Sequence, residues 1–211
     1  MENILVVGAH YDDVELGVGG SAAKFVKQGK KVYKLTLTDN VTRSGHLHMN
    51  IDYESSRDAS AKASEILGIQ EITDFVPVDC NNLFYNTETM QRIEDVIYKY
   101  NIDTVFMHFM EDANQDHVEA SKLCKTASRH CQNVFVYQSN LYVLTEPYYP
   151  IFFVDISDFE TQKIEALKQY DSQHDRFNDL FQATLARNKV WGASQKVKSA
   201  EAFMPLRVLI K

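Results

Sequence analysis

Apolar positions along the chain switch between a period of two and a period near 3.6, and that switching predicts strands alternating with helices. Ile4–Val7 is a continuous apolar run bounded by Gly8, as expected of a strand buried on both faces. Gly19-Gly20-Ser21 then opens a helix over Ser21–Gln28, with Ala22, Ala23, Phe25 and Val26 apolar. Gly29 closes it, and Lys30 and Lys31 complement its carboxyl end. Lys31–Thr38 alternates as a second strand, Tyr53–Leu67 is a helix stopped by Gly68, and Ile72–Val78 reads as a strand. Thr87–Tyr100 carries Met90, Ile93, Val96, Ile97 and Tyr100 along one helical side. Thr104–His108, Val134–Tyr137 and Ile151–Asp155 are further strands, and Glu119–Cys131 is a helix between the first two. Ser157–Gln173 turns helical and charged, and Arg207–Ile210 is a last strand or an extended arm. Asp39–Asp52 is polar and long for a connection, which suits a functional loop.

Such an order builds βαβ units. We therefore expect an α/β fold, a Rossmann-like, open, largely parallel sheet with helices on both faces. At 211 residues, with no repeat or Pro/Gly-rich linker, residues 1–211 are expected to form a single domain. Composition narrows the functional classes. A net charge of −7 without a Lys/Arg stripe argues against nucleic acid as partner. No apolar run approaches the roughly 18 residues needed to span a bilayer. Met1-Glu2-Asn3 leads straight into the first strand without a basic leader, and Cys80, Cys124 and Cys131 have no paired spacing. A cytoplasmic protein with free thiols is the expectation.

The chemistry gathers where strands end. Ala9-His10-Tyr11-Asp12-Asp13-Val14-Glu15-Leu16-Gly17 follows the first strand, at the position where open α/β sheets bind ligands. A bland alternative is a polar loop whose Asp caps the following helix. The strand ending at His108 runs into a second loaded segment, Asp112-Ala113-Asn114-Gln115-Asp116-His117. If the two strand ends face each other across a switch point, His10, Asp13 and His117 form a set of two imidazoles and one carboxylate. That is the ligand count of a catalytic zinc site and equally of a non-haem iron site, so the ligands alone do not name the metal.

The first segment resembles the Ala-His-Pro-Asp-Asp-x-Glu-x-Gly signature of the LmbE/PIG-L family of zinc-dependent N-acetylglucosamine de-N-acetylases. Asn114-Gln115-Asp116-His117 resembles that family's His-Pro-Asp-His motif. Arg57 before an Ala-rich helix, Val154–Asp158, Lys163, Ala166-Leu167, Ser172-Gln173 and Ala200–Phe203 extend the likeness over essentially the whole chain. The resemblance implies Zn2+ on His10, Asp13 and His117, with Asp12 as general base. The substrate would be a small amino-sugar conjugate, of the N-acetylglucosamine type or nucleotide-linked, that loses its N-acetyl group. Zinc would acidify a bound water to a pKa of roughly 7 and polarise the acyl carbonyl. Tyr11 departs from the signature's Pro and loosens a turn that Pro would pre-set. Asn114 stands where the commoner motif has a His thought to assist the oxyanion, a role an amide fills only as a neutral donor.

Several residues keep two readings. Asp116 either orients a ligand imidazole from behind or is a helix N-terminal Asp, and Glu15 either supports the ligands in the same way or complements the helix dipole. Arg57 resembles a substrate-contacting Arg, with an exposed helix Arg as the alternative. His46 and His48 suit substrate contact or solvation better than metal binding. A rival function is a nucleotide-binding Rossmann module using Gly8, the run Leu16–Gly20 and Asp39, but two carboxylates beside a pyrophosphate would repel it. A third option keeps fold and metal and assigns a non-hydrolytic role.

Overall fold

β1 (Asn3–Gly8) is buried on both faces, and its alternate side chains feed two separate cores. Ile4 and Val6 join one core with Ala59, Ala63, Leu67 and Phe203, while Leu5 and Val7 join the other with Ile93, Val96 and Leu123. Burying each large apolar side chain contributes about 1.5–3 kcal/mol, so a strand feeding both layers anchors the fold. The computed structural model describes residues 1–44, 49–142, 146–173 and 180–209.

β1 pairs in parallel with β2 (Lys31–Thr36) on one side and with β6 (Thr104–His108) on the other. β5 (Gln70–Glu71) adds in parallel beyond β2, and β7 (Asn133–Tyr137) in parallel beyond β6. β9 (Ala200–Arg207) then runs antiparallel between β7 and β8 (Phe152–Asp155), which completes the order β5-β2-β1-β6-β7-β9-β8. The chain therefore has the expected mostly parallel α/β sheet. α1 (Asp13–Lys27), α2 (Tyr53–Leu67) and α5 (Glu160–Leu167) pack on the Ile4/Val6 face, where α6 (Leu180–Ser194) adds Phe181 and Leu185. α3 (Thr87–Lys99) and α4 (Gln115–Ala127) cover the opposite face. α1 and α4 thus leave the adjacent strands β1 and β6 toward opposite sides, opening a crevice between their carboxyl ends.

Four expectations need correction. α1 begins at Asp13 rather than Ser21, so the glycine run lies inside the helix. A Cβ on Gly17 would stand 2.1 Å from the Tyr137 ring, and one on Gly20 2.8 Å from Ile156. Those glycines permit close packing of helix on sheet rather than marking a helix start. α4 begins at Gln115, where Asn114 caps it, rather than at Glu119. The expected strand Ile72–Val78 does not form: strand pairing ends with β5 at Glu71, and within the expected range only an isolated parallel bridge from Thr38 to Val78 remains. Pro77, without an N–H, suits that interruption. The last strand is β9, eight residues long and placed inside the sheet. The polar stretch after β2 also holds a hairpin of β3 (Thr42–Ser44) and β4 (Met49–Ile51). Among the described residues no helix is long and apolar enough to cross a membrane.

Candidate metal centre and active site

His10 and Asp13 come from the β1–α1 turn and His117 from the first turn of α4, and the crevice brings all three together. His10 Nδ1 lies 3.2 Å from His117 Nε2 and 3.4 Å from Asp13 Oδ2. Asp13 Oδ1 lies 3.2 Å from His117 Nε2, and Oδ2 accepts the His10 backbone N–H at 2.7 Å. One donor atom from each residue fits within a 4.8 Å cluster. Two imidazole nitrogens and a carboxylate oxygen at this spacing fit a divalent ion with a further position left over.

The surroundings make this cluster hungry for positive charge. Asp13, Asp112 and Asp116 are all buried around it. Burial opposes ionisation of Asp13, but His117 and His108 overcome it and hold its carboxyl well below the usual range. Burial likewise opposes charge on His10, yet hydrogen bonds to Asp116 and Asp13 hold its imidazole well above the ordinary value. His117 is pushed up to about 9, because Asp13 and Asp112 outweigh the cost of its burial.

Asp116 lies in the first turn of α4 and also faces His10. Its Oδ2 lies 3.2 Å from His10 Nε2 and accepts the Asn81 N–H at 2.8 Å. That leaves His10 Nδ1 to face Asp13 and His117. Asp12 is 2 % exposed and is the residue before α1, but its side chain makes no capping bond, so the capping alternative does not describe it. Asn114 is itself the cap of α4. Its Oδ1 accepts the Asp116 N–H at 2.8 Å, which leaves the amide NH2 as its remaining donor.

Glu15 is not behind the ligands. Its carboxylate pairs at 2.7 Å with Lys34, which is buried with it. Lys34 Nζ also donates to the Tyr11 carbonyl at 2.6 Å, and Tyr170 OH donates to that same oxygen at 2.8 Å. The turn that lacks Pro is thus fixed through its carbonyl. Arg57 is exposed on α2, 5.6 Å over the Tyr53 ring. It lines a recess of about 240 Å³ with Tyr11, Lys34, Thr36, Tyr53 and Glu71. That recess shares Tyr11 with the motif turn but includes none of the three cluster residues. His46 and His48 lie outside the described residues.

Three side chains at the site went unread in the sequence. Asp112 Oδ2 stands 3.2 Å from His117 Nδ1, and its Oδ1 accepts the Asn114 N–H at 2.9 Å. Its signal was present, since it lies in the same acidic segment. His108 closes β6, stacks on His117 with ring centroids 4.1 Å apart, and accepts the Ala9 N–H on Nε2 at 3.0 Å. Burial and the neighbouring His117 hold His108 below the ordinary imidazole value, in keeping with an acceptor nitrogen. Tyr137 OH donates to the Val7 carbonyl at 2.8 Å and lies 3.1 Å from His108 Nε2. Neither residue has a motif signature, because each sits in an apolar strand.

The arrangement also disposes of the nucleotide rival. Gly17 and Gly20 face Tyr137 and Ile156 rather than a phosphate. Asp39 Oδ1 accepts the backbone N–H of Cys80 at 2.9 Å and of Val41 at 3.0 Å instead of waiting for a ribose.

The pattern of the GlcNAc-PI de-N-acetylase family, PIG-L, matches residues 5–128, more than half of the chain. The chain is 26% identical over 177 residues to an Escherichia coli protein described as an uncharacterised deacetylase, YaiS, covering 81% of this chain and 91% of that one. It is 28% identical over 191 residues to a diacetylchitobiose deacetylase of Thermococcus kodakarensis, covering 82% and 70%. Among solved structures, the N,N'-diacetylchitobiose deacetylase of Pyrococcus horikoshii aligns with a TM-score of 0.82 at 18% identity, over 97% of this chain and 84% of that one. The Pseudomonas putida 4-carboxy-2-hydroxymuconate hydratase aligns with a TM-score of 0.79 at 20% identity, over 100% and 98%. These two establish likeness of fold alone.

Proposed function

The chain belongs to the GlcNAc-PI de-N-acetylase family of deacetylases, and from that premise we propose that it is a zinc-dependent hydrolase removing the acetyl group from an N-acetylated amino-sugar conjugate. The observation that carries this reading is the cluster of His10, Asp13 and His117, partly buried at His10 and buried at the other two, with the buried Asp12 next to Asp13 in the chain. His10 through Nδ1, Asp13 and His117 through Nε2 would hold the ion. Bound there, zinc would supply a Lewis acid that acidifies water and draws electron density from the acyl oxygen.

The chain's own residues do the rest. Asp12, as general base, takes a proton from the water that adds to the acyl carbon. The carbon–nitrogen bond then breaks, and Asp12 returns the proton to the leaving amine, so acetate and a free amino sugar are the products. Asn114, its carbonyl occupied in capping, offers its amide NH2 as a neutral donor to the developing oxyanion. Asp116 and Asp112 hold His10 and His117 in the orientations that face Asp13. Arg57 and the recess beside Tyr11 would contact the sugar. The diacetylchitobiose deacetylase relative supports the amino-sugar class.

Two variants test the assignment together. His117→Ala should strip most bound zinc and abolish turnover. Asp12→Asn should keep zinc while the rate falls by about 10²–10⁴, the range of a lost general base. Full zinc content in His117→Ala, or full activity in Asp12→Asn, would overturn it. A second reading, addition of water to a carbon–carbon double bond, is favoured by the hydratase of like fold. Release of acetate from N-acetylglucosamine conjugates decides between the two.

A further inference from the structure

We propose that His10, Cys80 and Asp116 form a second cation site that takes a thiophilic divalent ion such as Zn2+ or Cd2+ and antagonises the first by competing for His10. His10 turns Nδ1 toward Asp13 and His117, whereas its Nε2 stands 3.2 Å from Asp116 Oδ2. Cys80 Sγ lies 3.7 Å from that same oxygen, and one donor atom from each of the three residues fits within a 4.8 Å cluster. A tetrahedral ion with bonds of about 2.0–2.3 Å to N, O and S sets its ligand atoms roughly 3.3–3.7 Å apart. The His10–Asp116 and Cys80–Asp116 pairs already stand near those separations.

The loop that delivers the thiol is held in place. Asp39 accepts the Cys80 N–H at 2.9 Å, and Thr42 Oγ1 lies 3.7 Å from the sulfur. Asn81 N donates to Asp116 at 2.8 Å. Asp116 is completely buried; its Oδ2 faces His10 and Cys80, and its Oδ1 has no hydrogen-bond partner among the described residues, so the carboxylate keeps acceptor capacity that an ion could use. Cys80 is half-buried and within reach of solvent, whereas Cys124 and Cys131 are buried.

Antagonism follows from the imidazole. A neutral ring has one acceptor nitrogen. With Nδ1 on the first ion, Nε2 carries the proton and donates it to Asp116. An ion on Nε2 moves that proton to Nδ1 and takes His10 out of the first site. The thiol proton of Cys80 goes to solvent on coordination, and no electron is exchanged. The inhibitory consequence rests on the proposed zinc ligands above; the second site itself does not.

The test is a Cd2+ titration of the whole chain carrying one equivalent of Zn2+, read by the ultraviolet thiolate-to-cadmium absorption. In parallel, deacetylation is followed as Zn2+ rises beyond one equivalent. The wild type should develop the band to one thiolate site per chain, and Cys80→Ser and Cys80→Ala should lack it. Both variants should need at least about tenfold more Zn2+ for inhibition, the scale of a lost ligand interaction, while keeping activity at one equivalent. His117→Ala removes a ligand of the first site and none of the second, so it should keep the band even if no deacetylation is found. No band in the wild type, a band surviving in Cys80→Ser, loss of the band in His117→Ala, or unchanged inhibition in both Cys80 variants would overturn the proposal.

Discussion

Asp13 meets three imidazoles with two oxygens, and that single buried carboxylate sets the electrostatics of the site. Without a metal, the positive charge it needs comes from protons on His10 and His117. The sign of the resulting pH dependence is fixed by His117, whose folded value near 9 lies above its ordinary 6.5. Its proton stabilises the metal-free fold fully below about 6.5, and that contribution is lost as pH rises through about 9. A metal must expel the same proton, so its affinity should rise across this window by up to about tenfold per pH unit for each proton released. Added zinc should therefore raise the thermal unfolding midpoint more at pH 8.5 than at pH 6.5 (roughly the ends of the window). Equal shifts at both would show that His117 is neutral in the metal-free protein.

Among the elements, α1 is the one whose sequence looks least like a helix and whose packing demands most. Three glycines in its first half cost helix propensity, roughly 1 kcal/mol each relative to Ala. Two of them let the helix lie against Tyr137 and Ile156, while a Cβ on Gly19 would meet Lys163 no closer than 3.5 Å. Gly17→Ala should thus destabilise the protein by about 3 kcal/mol or more, at the upper end of overpacking, because Tyr137 is tied to Val7 and His108 and cannot swing aside. Gly19→Ala should be neutral or stabilising by up to about 1 kcal/mol. Urea unfolding midpoints of the pair check this, and equal midpoints would contradict it. At the start of α4, Asn114 plays two parts. Asn114→Ala should cost about 1 kcal/mol as a lost cap, so a fall in kcat with zinc retained must be judged against that structural effect.

At the scale of the whole molecule, two buried ion pairs from distant segments grip the motif and the helix after it. Lys34 on β2 pairs with Glu15 and holds the Tyr11 carbonyl, while Lys163 on α5 pairs at 2.6 Å with Glu201 on β9 and holds the Leu16 carbonyl. Glu201 in turn accepts the N–H groups of Gly20 and Ser21, so this pair meets α1 at the Leu16 carbonyl and the Gly20 N–H, one helical turn apart. Removing one member leaves the other charge buried and unpaired. Lys163→Met should therefore cost about 3–5 kcal/mol, and Lys163→Met combined with Glu201→Gln should recover part of the loss. Chemical denaturation of the single and double variants measures it, and additive losses would mean that the pair is not coupled.

The alternation of strand and helix and the parallel sheet were legible in the chain, whereas the meeting of His10, Asp13 and His117 was legible only on the condition that the two strand ends face each other, which the pairing of β1 with β6 supplies. The first two follow from local periodicity, a property of short segments. The same legibility misled at α1, where Gly19-Gly20 signals a boundary locally but serves a contact with Ile156, a residue far along the chain. It failed for β9 as well, since an eight-residue strand containing Pro205 and charged ends is stabilised by neighbours on both sides rather than by its own pattern. His108 and Tyr137 were invisible as site residues for a related reason. A His or Tyr in an apolar strand looks like core until the partner strand places another imidazole against it. Glu15 shows the converse, for its position in the motif suggested support of the ligands, whereas Lys34 arriving from β2 claimed its carboxylate. Residue identity and spacing determine which groups can do chemistry. Which oxygen faces which nitrogen is decided by long-range pairing and burial, and those exist only once the chain has folded.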